Sequence, residues 1–270
     1  MSLILLHLLP ATFYVALAVF SLPRTGARHS DGRHIAALLL FTALCSHAFA
    51  LGEVMLGDGE FHFGLSIALS LTLWLAMLFY SLESLVRPIK PLLSVVSIAS
   101  AVFVVLPILS PGHPHTLDAG NWAFRMHVVV AMLAYSLFTL AVFHALLIAA
   151  AERHLHGRTS VSIEHALPPL LTLERLLFRL ISTAFTFLTL TVASGVLFSE
   201  QIFGKPFTLT HKAVFGIASW LLFAILLAGR WHRGWRGKTA THWLLAGFAC
   251  LLLAYAGSRF VLEYILNRSI

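Results

Sequence analysis

Long apolar runs separated by short polar breaks dominate the chain. Runs of spanning length fall near 3–22, 34–52, 63–86, 91–109, 123–150, 172–199, 211–229 and 242–262. Breaks rich in Pro, Gly and charge lie between them: Pro23 to Gly32, Gly57 to Gly59, Pro88 to Pro91, Pro111 to Pro114, Pro168-Pro169, Gly204 to Pro206, and Gly234 to Gly237. A helix crosses the hydrocarbon core with about 20 apolar residues. The pattern therefore predicts an all-α polytopic membrane protein with eight transmembrane helices. The fourth run is the shortest and holds Pro107 near its far end, so its boundary is the least defined. The connectors are too short for a separate soluble domain, and residues 1–270 are expected to form a single integral membrane domain. The first run has no Lys or Arg before it and no clear small-residue cleavage site after it, which reads as a retained helix.

Composition agrees: 59% of the residues are hydrophobic and 11% are charged, against about 25% charged in soluble domains. This excludes a water-soluble enzyme, a disordered tail and a disulfide scaffold. Cys45 and Cys250 are the only cysteines and form no CxxC pair, so both are expected to pack as small hydrophobes.

The net charge of +7 would suggest nucleic acid in a soluble chain. Sorted by connector, thirteen of the eighteen basic residues follow spans one, three, five and seven. The other five are Arg125, Lys205, Lys212, Arg259 and Arg268, and the connectors on their side carry Glu53, Asp58, Glu60, Asp118 and Glu200. The positive-inside rule then puts both termini outside the cytoplasm. The charge is explained by orientation, and no nucleic-acid partner is needed.

Fifteen histidines are the chemically informative minority. Seven belong to the basic side, where solvent or lipid headgroups satisfy them. His7, His47, His127, His144 and His211 lie in or at the ends of spans, where an ionisable group is costly and suggests function. At about 1.5 Å per residue, His7, His47, His127 and His211 fit one outer layer, whereas His144 lies about 25 Å deeper than His127. Two opposed neutral imidazoles can hold haem iron in a membrane. After His127 the same helix face continues as Ala131, Ala134, Tyr135 and Phe138, a shallow groove with aromatic walls. The competing explanation is an interhelical hydrogen bond and small-residue packing.

Other polar groups carry less. Arg125, Lys212 and Arg259 lie at the outer level and are candidates for haem propionates or lipid phosphates. Arg259 and Glu263 stand one helical turn apart and are expected to pair. Ser182, Thr186 and Thr189 share a face of span six and are expected to donate hydrogen bonds between helices. Trp231 and Trp235 beside Arg233 and Arg236 read as an interfacial anchor. No GxSxG, HExxH or Walker-type loop is present, so hydrolytic and phosphoryl-transfer chemistry has no support.

Several segments resemble the cytochrome c assembly membrane-protein superfamily of CcsA and CcmC type, with most similarity to its YpjD/HemX-like branch. They are MHVVVAMLAYSLFTLAVFHALL at 126–147, LPPLLTLERLLFRLISTAFTFLTLTVASGVLFSEQIFGKPFTLTHKAVF at 167–215, SWLLFAILLAGRWHRGWRGKTATHW at 219–243 and GFACLLLAYAGSRFVLE at 247–263. Residues 120–265 carry the likeness best. The resemblance implies an eight-helix protein of the bacterial inner membrane that handles haem, with histidines flanking a tryptophan-rich outer segment as ligands. His127 matches the first flanking histidine, and His211 belongs to the HKxxF element of the YpjD-like branch. The WGxxWxWDPKE signature is replaced by GKPFTLTHKA, which keeps Lys212 but neither the tryptophans nor the aspartate. The family's in-membrane histidine falls on Ala228 and its second flanking histidine near Asn267. These departures argue against a full haem lyase.

Taken with the resemblance, the sequence predicts a b-type, non-covalent haem ligated by His127 and His211, with His47 in reserve. The expected role is an accessory in cytochrome c maturation or haem trafficking, with maturation proteins as partners. The alternative is a non-enzymatic regulatory scaffold that meets a haem-biosynthesis enzyme through residues 151–171 or the RWHRGWRGK loop. A permease is the weaker third reading.

Overall fold

The computed structural model describes residues 3–22, 31–57, 62–109, 122–156, 168–200 and 208–257. Among them, eight helices are long and apolar enough to cross a membrane. The expected Arg259–Glu263 pair, Lys205, Asn267 and most of the 151–171 loop lie outside the described residues. The elements are α1 (Leu3–Ser21), α2 (Asp31–Leu56), α3 (Leu65–Ser84), α4 (Lys90–Phe103), α5 (Leu106–Leu109), α6 (Trp122–His156), α7 (Leu170–Leu197), α8 (His211–Arg233) and α9 (Gly237–Leu252), which runs into a π turn at Leu253–Gly257. They group into two compact units, Met1–Pro114 with Ala150–Leu170 and His115–Ala149 with Leu171–Ile270.

In the first unit α1 packs on α2 and α4, and α3 packs on the same two helices. Tyr14, Leu17, Ile67, Met77, Tyr80 and Leu92 fill its interior. Lipid offers apolar surface everywhere, so packing and interhelical hydrogen bonds do the joining. The Trp74 indole N–H donates to Leu44 O at 2.9 Å, Tyr80 OH to Ile89 O at 3.1 Å, and Ser94 Oγ to Ala18 O at 3.3 Å.

The fourth span is two helices, and proline chemistry explains why. Pro107 has no N–H to give Phe103 O. Beyond the break, Ile108 N donates to Val105 O at 3.1 Å instead of to Val104 O four residues back. The Val104 carbonyl therefore loses its intrahelical donor. His7 Nδ1 supplies one at 2.7 Å.

In the second unit Phe138 of α6 stacks on Phe223 of α8, with centroids 3.8 Å apart and both rings fully buried. Ser219 Oγ donates to Gly247 O at 2.9 Å, binding α8 to α9. A Cβ on Gly247 would meet the Phe223 ring at 2.8 Å, so only glycine permits this approach. Tyr135 OH donates to Leu251 O at 2.6 Å, beside the point where α9 widens into its π turn.

Helix α8 shows how local sequence sets both ends. Thr210 caps its start by accepting from Ala213 N, and Arg230, His232 and Arg233 in the last turn oppose the negative end of the helix dipole. Gly234 closes it at φ +65°. Gly234→Ala is expected to lower stability by about 1 kcal/mol, because a side chain at positive φ crowds the backbone; the thermal midpoint of purified protein in detergent checks this.

Three expectations change. The eighth span starts at Gly237 and α6 continues to His156, each a turn or more beyond the apolar run, because a helix does not stop where its apolar residues stop. Ser182, Thr186 and Thr189 donate to carbonyls of their own helix, at Phe178, Ser182 and Phe185. Hydroxyls satisfied this way have no proton left for a neighbour; Thr189 meets α8 only as acceptor, from Trp220 Nε1 at 2.9 Å. Cys45 is exposed on α2, whereas Cys250 is half-buried.

Candidate functional site

His127 sits near the start of α6, half-buried, and its Nδ1 lies 2.9 Å from Ser194 Oγ near the end of α7. Ser194 Oγ is also 3.0 Å from Thr191 O. A carbonyl only accepts, so the Ser194 proton goes to Thr191. The same oxygen then accepts from His127, which carries its proton on Nδ1. Nε2 is then the acceptor nitrogen of the ring. Histidines that bind metals are commonly prepared in this way, by a neighbour that holds the opposite N–H.

Gly195 completes the setting. A Cβ there would stand 3.4 Å from His127 Cε1, so the imidazole lies close against the α7 backbone. Sequence reasoning missed both Ser194 and Gly195. The available signal was a hydroxyl and a glycine in the last turns of span six, at the membrane level where span five begins with His127.

His211 opens α8, exposed, with exposed Lys212 beside it. The start of α6, the end of α7 and the start of α8 come from consecutive crossings, so His127, Ser194 and His211 belong to one end of this unit. Arg125 is exposed at the same end of α6. Arg259 lies outside the described residues.

The groove expected beneath His127 is filled. Ala134 and Phe138 are fully buried, Phe138 by its stack on Phe223, and the Tyr135 hydroxyl is committed to α9. A planar ligand at His127 is therefore confined to the turn around the histidine and does not slide along Ala131–Phe138.

The remaining span histidines serve elsewhere. His7 and His47 belong to the first unit and are fully buried. His47 Nδ1 is 3.1 Å from Tyr14 OH and its Nε2 is 2.9 Å from Ser70 Oγ. With both nitrogens engaged, it offers no lone pair to iron in this arrangement. His144 is fully buried in α6. Among the described residues no three His, Cys, Asp or Glu side chains cluster as a metal site.

The family described as "Cytochrome C assembly protein" matches residues 32–266. This chain belongs to that family. The match spans both compact units, and it supports a role in cytochrome c maturation. "Inner membrane protein YpjD" of Escherichia coli K12 is 27% identical over 94% of this chain and 95% of its own length. "Cytochrome c biogenesis protein CcsA" of Guillardia theta is 28% identical over 52% of each chain. The CcsA protein of Chlamydomonas reinhardtii is 27% identical over 53% of this chain and 39% of its own length. No solved structure matches. Family membership and eight apolar helices make this a multi-pass membrane protein of the cytochrome c assembly type.

At the end of α8 opposite His211, this chain is held by a compact turn. Trp235 N donates to Gly229 O at 3.2 Å, Arg230 Nη1 donates to Trp235 O at 3.1 Å, and Trp235 stacks on Trp243 at 5.4 Å. The Arg230 guanidinium also lies 4.5 Å from the centroid of the Phe178 ring. Trp231 is 84% exposed, as an interfacial anchor would be. Trp235 instead packs inward and fixes the turn.

Proposed function

We propose that this protein binds haem non-covalently near the outer face of a bacterial inner membrane, as an accessory in cytochrome c maturation or haem trafficking. His127 supplies one axial ligand and His211 the other. The observation that carries this reading is the His127 Nδ1–Ser194 Oγ hydrogen bond, which with the Ser194–Thr191 bond assigns the proton to Nδ1 and makes Nε2 the nitrogen suited to ligation. His211 suits the second position because it is exposed at the same end of the unit, on the rigid first turn of a capped helix. Bound haem would supply an iron centre to be held, presented or passed on. The chain's own part is to fix the His127 tautomer and to bring an imidazole from the start of α8. Arg125 and Lys212 are the candidate contacts for propionates.

The fit is local. Packing below His127 is filled, which suits a ligand that enters and leaves at the membrane surface. The arginine and lysine distribution supports an orientation with that end outside the cytoplasm. Haem and the cytochrome c maturation machinery are the partners that follow.

Absorption spectra of the purified protein test the proposal. Wild type is expected to show a Soret band with a low-spin, six-coordinate spectrum. His127→Ala is expected to lose the band, and His211→Ala to shift it to a five-coordinate form with weaker retention. A wild-type protein folded in detergent with no Soret band after haem addition sinks the reading.

A further inference from the structure

We propose that the first unit contains a buried hydration site, with water as its ligand, bounded by His7 Nε2, Ser97 Oγ and Ser100 Oγ. The site adjoins the Tyr14–His47–Ser70 hydrogen-bond chain and forms with it a polar, proton-exchanging core inside the membrane span. It is independent of the haem reading, which rests on the other unit.

The argument starts from Pro107. The break it causes strips Val104 O of its helical donor, and His7 Nδ1 fills that place at 2.7 Å. The carbonyl accepts, so Nδ1 carries the proton and Nε2 is an acceptor. His7 is fully buried, and its Nε2 has no hydrogen-bond partner. A break in one helix has thus turned a lone pair into the core.

Two hydroxyls on α4 share this condition. Ser97 and Ser100 are fully buried and their Oγ atoms are likewise unpartnered. Buried hydroxyls elsewhere in this chain, at Ser21, Thr72 and Ser136, donate to the carbonyl four residues back. Ser97 and Ser100 do not.

Register puts these groups near one another. α1 and α4 are antiparallel, joined by His7 with Val104 and by Ala18 with Ser94. Between those points Ser100 comes opposite Ala11 and Ser97 opposite Tyr14. At about 1.5 Å per residue, Ser100 stands about one turn from the level of His7 and Ser97 about one turn further along α4.

Water fits the chemistry. The site offers one nitrogen lone pair and two hydroxyls that both donate and accept, and buried water typically satisfies such groups by making 2–4 hydrogen bonds, about three on average. The hydroxyls are poor ligands for a transition metal, and the second imidazole already has both nitrogens engaged. In the adjoining chain Tyr14 and Ser70 can each give or take a proton. His47 is therefore able to hold its single proton on either nitrogen, with both hydrogen bonds kept by reversing the hydroxyls. Groups of this kind next to water make a relay.

Solid-state NMR of the full chain in lipid bilayers, with 15N-labelled histidine and polarisation transferred from water, tests the proposal. His7→Phe and His47→Phe identify the two signals. The expected result is a His7 ring protonated at Nδ1, with Nε2 unprotonated and receiving transfer from water. The Ser97→Ala, Ser100→Ala double variant is expected to lose that transfer, and Ser100→Thr to keep it. A wild-type His7 that receives none while exposed His232 does would show a dry core and overturn the proposal. So would transfer unchanged in the double alanine variant. The wild-type arm decides the matter even where a variant fails to fold.

Discussion

Ser194→Ala is expected to weaken haem retention by about 10–100-fold, the usual cost of removing the group that orients a metal-bound histidine. The hydroxyl accepts the His127 Nδ1 proton and passes its own to Thr191, so the change removes a two-step anchor from one ring. The imidazole then has two tautomers to choose between and freedom to turn. Ser194→Thr keeps the oxygen and is expected to stay near wild type. His127→Ala removes the ligand itself and is expected to abolish the Soret band. Titrating haem into the purified variants and following that band measures all three. Equal retention in wild type and Ser194→Ala would mean that the tautomer argument does not govern binding.

Phe138→Ala is expected to cost about 3–5 kcal/mol, the range for deleting a buried aromatic ring from a packed interior. The ring is fully buried and lies flat on Phe223, which itself occupies the space left by Gly247. Removing it leaves a hole bounded by α6, α8 and α9 that rigid helices cannot close. Phe223→Leu keeps most of the volume and is expected to cost about 1.5 kcal/mol or less. Thermal unfolding in detergent, followed by loss of helicity or by aggregation, separates the two variants. The same packing blocks the groove below His127, so Phe138→Ala also tests whether haem takes up a deeper position once space is made, by a change in the Soret maximum.

Hydropathy made the eight spans legible because each helix must satisfy its backbone alone in lipid. It even marked Pro107 as the weak boundary of span four. It was silent on which spans touch, and the site depends on that. The imidazole of His127 stood out as an ionisable group in an apolar run, but Ser194 was one of many hydroxyls and became meaningful only when α7 was laid beside α6. Ser182, Thr186 and Thr189 misled for the related reason that a hydroxyl looks the same in sequence whether it bonds its own helix or a neighbour. Ala131, Ala134, Tyr135 and Phe138 suggested a groove because small residues mark close approach. What approaches is another helix.

The turn between α8 and α9 bears on how the molecule is put together. Gly229, Arg230, Trp235 and Trp243 hold one another through contacts between near neighbours in the chain. Closing so short a loop costs little entropy, and the Ser219–Gly247 bond continues the same pairing into the spans. The two helices are thus equipped to lock as a hairpin as soon as both are in lipid. α6 and α7 meet that hairpin through Arg230 on Phe178 and Phe223 on Phe138. A hairpin that closes by itself would hold α8 in place from one end, with His211 at the other end where His127 and Ser194 lie.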